Sequence, residues 1–249
     1  MFITLEGGEG SGKSTQAELL HRRLKEAGYA SIVVREPGTT ALGQYLREWL
    51  ITERRKKEDT ISPRAELFMF ETARAEFVAK VLKPNLAVEN MIVISDRYID
   101  STTAYQGHGR RLPLADIATL NRIATDGLTP AITFLMDVPP EEGLRRVGSA
   151  QMGLEIDPSK KAEKGRLDEA GSRRFEKESL EFHKRVYQGY RNLAKDNPDR
   201  VRVIDATRTR EEIGEEIWQA LQPKLGPELR SGGGEMPLWA NSGEQEKRR

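Results

Sequence analysis

The sequence predicts an α/β fold, a five-stranded parallel sheet flanked by helices, and three observations carry that reading. Five short apolar runs rich in β-branched residues recur along the chain. Helix-length amphipathic stretches separate them. The first run leads directly into a glycine-rich turn and then a helical pattern. Strands alternating with helices are the mark of parallel strands joined by crossovers.

The runs are Phe2–Glu6, Ser31–Arg35, Met91–Ser95, Ala131–Met136 and Val201–Asp205. Between the first two, Ala17, Leu20, Leu24 and Ala27 repeat at helical spacing, and Gly28 supplies a C-terminal stop. The stretch "PRAELFMFETARAEFVAKVL" opens with Pro63 and sets apolar residues three and four apart, so Ala65–Ala87 reads as a helix. Ser172–Lys195 reads as another, with Phe175, Phe182, Val186 and Leu193 on one stripe. Two segments lack a period. Gly148–Gly171 is polar, contains glycine and proline, and reads as irregular; residues 223–249 read as a disordered tail. Residues 1–222 then form one domain.

The chain has 249 residues, with 40 Lys and Arg against 39 Asp and Glu. That balance argues against a general binder of nucleic acid or anionic membrane. Cysteine is absent, which removes disulfides and thiolate metal sites. No apolar run reaches the length of a membrane span, and the N-terminus lacks a charged stretch followed by an apolar one, so the cytoplasm is the expected location.

Gly7, Gly12, Lys13 and Ser14 fit the phosphate-binding pattern G-x-x-x-x-G-K-[ST], with Gly8, Glu9, Gly10 and Ser11 at the variable places. A predicted strand precedes it and a predicted helix follows, which is the context the motif requires. Glycines let backbone N–H groups turn toward an anion, the helix N-terminus adds partial positive charge, and Lys13 adds a full one. Ser14 is placed to hold Mg²⁺ between phosphate oxygens. Glu9 is the anomaly, an acid in a loop built for polyanions. A GTP-binding switch is excluded, because no guanine-reading N-K-x-D exists.

Further candidates follow the other strands. Asp96 and Arg97 end the third run, at the crevice where parallel sheets bind ligands. Asp96 could hold Mg²⁺ or cap a helix; Arg97 could bridge phosphates or make a surface ion pair. Ser101, Thr102, Tyr105 and Gln106 offer hydroxyls and an amide suited to a base edge. Arg35 and Glu36 end the second run, and Arg47 lies further along. Phe70 and Arg74 are four apart and share a helix face. They suit base stacking and carbonyl binding, or are a core Phe and an exposed Arg.

Together, EGGEGSGKST, REPG, FETAR, DRYIDSTTAYQG and RRFEKESLEFHKRVYQGY resemble the bacterial thymidylate kinases, P-loop nucleoside monophosphate kinases, over residues 1–222. The resemblance implies transfer of the γ-phosphoryl group of ATP to dTMP, with Mg²⁺, by a homodimer with a mobile lid. It implies that Gly7 to Ser14 bind ATP, that Glu9 bonds the acceptor 3′-hydroxyl, and that Ser14 and Asp96 attend the metal. Phe70 is expected to stack on thymine, Arg74 to bind a base carbonyl, and Thr102 and Gln106 to face the base edge. Tyr105 is expected near the sugar, with Arg35, Arg47 and Arg97 around the acceptor phosphate. Lys13, Arg97 and a lid arginine would be catalytic. Arg174 best matches the lid arginine, with Arg145, Arg146, Arg166 and Arg173 as the other candidates. The lid, about 145–174, is longer than usual for the family. Two other readings remain: a kinase for UMP, CMP or AMP, and a non-catalytic nucleotide-binding regulator.

Overall fold

The computed structural model describes residues 1–51, 61–156, 173–226 and 229. Five strands, β1 (Phe2–Glu6), β2 (Ser31–Arg35), β3 (Ile92–Asp96), β4 (Ile132–Asp137) and β5 (Val201–Asp205), form one parallel sheet in the order β2-β3-β1-β4-β5. The five predicted runs are these strands, each end within one residue.

Alternation sends strand side chains to two cores. Ile3, Leu5, Ile92, Ile94, Ile132, Phe134 and Met136 pack against α1 (Lys13–Glu26) and α10 (Arg210–Leu221). Phe2, Val93, Ile32 and Val34 face the opposite way, toward Phe77, Val78, Val81 and Leu82. β1 is central, with its neighbours reached by crossovers in opposite directions. That switch opens a crevice at the carboxyl edge. Every strand ends there on a charged residue: Glu6, Arg35, Asp96, Asp137 and Asp205.

The helices depart from the sequence expectation in three places. The 65–87 helix is α3 (Pro63–Phe77), a π-helical turn at Val78–Leu82, and α4 (Lys83–Leu86). Ser62 caps α3 by accepting the Ala65 N–H, and the wide turn precedes Pro84, which has no N–H to offer. The predicted helix 172–195 breaks into α8 (Arg173–Glu176) and α9 (Leu180–Asp196). Ser179 is extended and accepts the Phe182 N–H, so its hydroxyl starts a new helix where apolar spacing implied continuity. The segment expected to be irregular from Gly148 begins as helix, because α7 runs Pro140–Ile156. No proline follows Pro140 until Pro158, and Ala150, Gln151, Met152, Leu154 and Glu155 favour helix enough to carry two glycines. The remainder of that segment, 157–171, lies outside the described residues, and so does most of the expected tail. That tail starts with packed residues: Leu225 is buried and Leu229 touches the main core.

A third core joins α9 to the π-helical turn Thr103–Gly109, which continues α5 (Ile99–Thr102). The remaining helices are α2 (Ala41–Ile51) and α6 (Leu114–Thr125). Gly109 lets α9 approach: a Cβ there would stand 2.7 Å from the Phe182 ring and 3.0 Å from Val186. Gly109→Ala should therefore cost about 1–3 kcal/mol of overpacking. Urea denaturation checks this, and no loss would mean the two elements part without cost.

Candidate active site

The loop after β1 places three of its glycines in conformations that other residues rarely adopt. Gly7, Gly10 and Gly12 have φ of 144°, 65° and 85°. Gly10 also lies against the backbone of Gly143 on α7, where neither residue has room for a Cβ. The loop is thus clamped between β1 and α7. Lys13 begins α1, is buried, and donates from Nζ to the Gly8 carbonyl (2.7 Å) and Ser11 Oγ (3.1 Å). Burial and nearby Arg97 depress its pKa to about 8 against the pull of Glu9 and Asp96.

Glu9 turns from this loop toward the chain after β3. Its Oε1 accepts from Tyr105 Oη (2.7 Å) and from an Arg97 terminal nitrogen (3.1 Å). Burial pushes the carboxyl up, but Arg97, Lys13 and the Tyr105 hydroxyl prevail and hold it at about 2. The acid inside the phosphate loop is therefore a fixed anion. Arg97 reaches it from a left-handed backbone, φ 75°, directly beyond β3. It also donates to the Gly7 carbonyl (3.2 Å) and lies 5.1 Å above the Tyr105 ring.

Asp96 ends β3 beside the loop. Its Oδ2 accepts from Ser14 Oγ and lies 3.7 Å from Arg35 Nε. Its Oδ1 is buried and has no hydrogen-bond partner. A hydroxyl, a carboxylate and one unused buried oxygen at the start of α1 suit a hard cation or its bound water. No group of three or more Asp, Glu, His or Cys residues that could hold a metal unaided occurs among the described residues.

Arg74 is fully buried, not an exposed arginine. Its Nε donates to Glu36 Oε2 (3.1 Å), one terminal nitrogen to Glu71 (2.8 Å) and Asn121 (2.7 Å), and the other to Thr102 Oγ1 (2.8 Å). Burial pushes up both carboxyls around it. Thr102, assigned to the base edge, is thus tied to Arg74. Gln106 is buried and donates to Glu66 (2.8 Å); Arg110 joins Glu66 to Glu178. Phe70 is half-buried on α3, 6.2 Å from the Phe175 ring, which meets Tyr105 edge-on at 5.6 Å. Arg47 donates to the Pro37 carbonyl (3.1 Å), so it folds back onto the turn after β2.

The structure thus gathers Gly7 to Ser14, Glu9, Arg35, Asp96, Arg97 and Tyr105 at one crevice. Phe70, Arg74, Thr102 and Gln106 form a second group between α3 and the end of α5 with its π-helical continuation. Arg145 and Arg146 lie on α7 and both hold Glu142; Arg146 also donates to the Ala206 carbonyl (2.8 Å). Arg173 and Arg174 form the start of α8, and Arg166 lies outside the described residues. Sequence reasoning missed Glu6, Glu66, Glu71, Arg110, Asn121 and Tyr190. Only Glu6 and Glu71 carried a signal, as acids inside an apolar strand and an apolar helix face.

A family model described as Thymidylate kinase matches residues 5–155, more than half of the chain. The chain belongs to the thymidylate kinase family. Within that family, a thymidylate kinase of Synechococcus sp. (strain JA-2-3B'a(2-13)) is 44% identical over 225 residues, covering 90% of this chain and 96% of the other. One from Nitratidesulfovibrio vulgaris (strain DSM 19637 / Miyazaki F) is 43% identical, covering 90% and 97%. A crystal structure of thymidylate kinase from Ehrlichia chaffeensis superposes with a TM-score of 0.64 at 33% identity, covering 89% of this chain and 98% of that one.

The lowered Lys13 pKa has a consequence for binding. A lysine is cationic below its pKa, so if Lys13 holds a donor phosphate, affinity for ATP should fall as pH rises through about 8, by up to about tenfold per unit beyond it. Calorimetric titration of wild type and Lys13→Arg checks this. The arginine variant should give the flatter profile; identical profiles would exclude Lys13 as the titrating group.

Proposed function

We propose that this chain transfers the γ-phosphoryl group of ATP to dTMP, giving ADP and dTDP, within dTTP biosynthesis in the cytoplasm. One observation supports that reading above the others: a single carboxylate, Glu9, belongs to the donor loop yet meets the residues assigned to the acceptor, Arg97 and Tyr105. Family membership supplies the chemical class.

In this reading residues 1–222 form the kinase unit, with a lid at about 145–174. Backbone amides of Gly7 to Ser14 and the Lys13 ammonium hold the donor phosphates. Glu9 accepts a hydrogen bond from the acceptor 3′-hydroxyl, a charge-assisted bond that fixes the sugar. Tyr105 stands beside the sugar, Phe70 stacks on the base, and Arg74 with Thr102 and Gln106 reads the base edge. For Arg74 this means sharing donors already committed within the protein. Arg35, Arg47 and Arg97 hold the acceptor phosphate, whose oxygen attacks the γ-phosphorus as the bond to ADP breaks. Alignment and positive charge account for most of the rate in such transfers. Ser14 and Asp96 would hold Mg²⁺, which, when bound, neutralises charge between the phosphate oxygens.

Arg174 is the lid arginine of this reading, since the phosphate loop carries no arginine of its own. A second copy of the chain fits the exposed Leu42, Tyr45 and Trp49 on α2 and Phe68 on α3, which suit an apolar homodimer contact. No described helix is long and apolar enough to cross a membrane.

A coupled assay with ATP, Mg²⁺ and dTMP tests the function. Faster turnover of UMP, CMP or AMP, or no turnover at all, would overturn it. Glu9→Gln should raise KM for dTMP by about 10–100-fold, the range for a hydrogen bond to a charged group, with a far smaller effect on ATP affinity. Equal damage to both substrates would give Glu9 a structural role. Arg174→Ala should lower kcat by about 10³–10⁵-fold. Single-turnover kinetics checks this, and a loss below about tenfold would move the role to another residue.

A further inference from the structure

Glu6 is the last residue of β1, adjoins the phosphate loop, and is completely buried. A carboxylate removed from water needs partners, and it has four. Its Oε1 accepts the backbone N–H of Tyr98 (2.7 Å) and of Ser101 (3.3 Å). Its Oε2 accepts the hydroxyls of Ser101 (2.6 Å) and Tyr190 (3.0 Å). Two different stretches of chain are fastened by one side chain: the turn from β3 into α5, and α9.

The same two hydroxyls face Arg97. One terminal nitrogen of Arg97 donates to Ser101 Oγ (3.1 Å) and Tyr190 Oη (3.4 Å), while the other donates to Glu9 and Tyr105. Each hydroxyl can donate its own hydrogen bond to Glu6 and accept one from Arg97. The guanidinium is thereby held at one edge by the Glu6 relay and at the other by Glu9. The nearby Asp100 does not compete for it, because Arg200 binds that carboxylate through two nitrogens at 2.7 and 2.8 Å.

We propose that Glu6 is the positioning residue for Arg97, acting through the hydroxyls of Ser101 and Tyr190 to aim the guanidinium at the acceptor phosphate. The proposal rests on the reading of Arg97 given above. Glu6 itself touches no substrate. Its backbone bonds to Tyr98 and Ser101 also hold Arg97 in its left-handed conformation, so the group is fixed in both backbone and side chain. The relay brings α9 into the site through Tyr190, which lies 93 residues from Arg97 in sequence.

Initial-rate kinetics of wild type, Glu6→Gln, Arg97→Ala and the double variant tests it, with thermal unfolding alongside. Glu6→Gln should lower kcat by about tenfold to 10²-fold, the scale of a misaligned reacting group, with KM for ATP unchanged. It should add no further loss to Arg97→Ala, since both act through one guanidinium. A purely structural Glu6 would lower the unfolding temperature and multiply with Arg97→Ala, and that outcome would overturn the proposal. So would a Glu6→Gln rate within about twofold of wild type. If Arg97→Ala alone is harmless, the reading of Arg97 falls first and the proposal with it. Should Glu6→Gln not fold, the Ser101→Ala, Tyr190→Phe pair removes the relay while keeping the carboxylate; the same kcat loss supports the proposal, and wild-type turnover refutes it.

Discussion

The site depends on one constraint, that Glu9 and Arg97 meet across the seam between the phosphate loop and the turn after β3. Neither residue is comfortable alone. Glu9 is a carboxylate largely withdrawn from water, and Arg97 adopts a backbone conformation that non-glycine residues rarely occupy. Pairing them gives the carboxylate a counter-charge and the guanidinium an anchor. The loop is then braced on both sides, by Arg97 through the Gly7 carbonyl and by α7 through the close approach at Gly143.

Around that seam the interior is unusually ionic. Arg74 with Glu36 and Glu71, Arg110 with Glu66 and Glu178, and Arg200 with Asp100 are three buried or half-buried clusters. Such clusters contribute little net stability, because desolvation offsets most of the attraction. Their effect is directional. Each fixes a planar fork at several points, and each links elements distant in sequence. The acids in these clusters match or outnumber the arginines, so they hold elements in place and add no net positive charge.

Much of this arrangement is legible in the amino-acid sequence. Strands betray themselves by β-branched runs, and a parallel sheet fixes which ends line a crevice, so the phosphate loop, Asp96, Arg97 and Arg35 can be placed from the residues alone. Phe70 and Arg74 stand out by their four-residue spacing, and Tyr105 and Gln106 by their polar groups, while the family resemblance supplies the role expected of each. What stays hidden follows from the physics of each case. A serine hydroxyl outweighs apolar periodicity at Ser179. Helix propensity outweighs Gly148 and Gly153 in the second half of α7. The partners of Arg74, Gln106 and Arg97 come from helices far along the chain, and Asn121, Glu66 and Tyr190 carry no local pattern that marks them as partners. Glu6 is visible only as an acid within an apolar strand.

The seam at Glu9 is tested most directly by removing its proposed partner from the substrate rather than from the protein. Kinetics with dTMP and with its 3′-deoxy analogue, on wild type and on Glu9→Gln, form a cycle. If the carboxylate orients the acceptor through the 3′-hydroxyl, the analogue is poor for the wild-type enzyme and no poorer for the variant. If the two losses multiply, the hydroxyl and the carboxylate do not meet, and the phosphate loop does not hold both substrates.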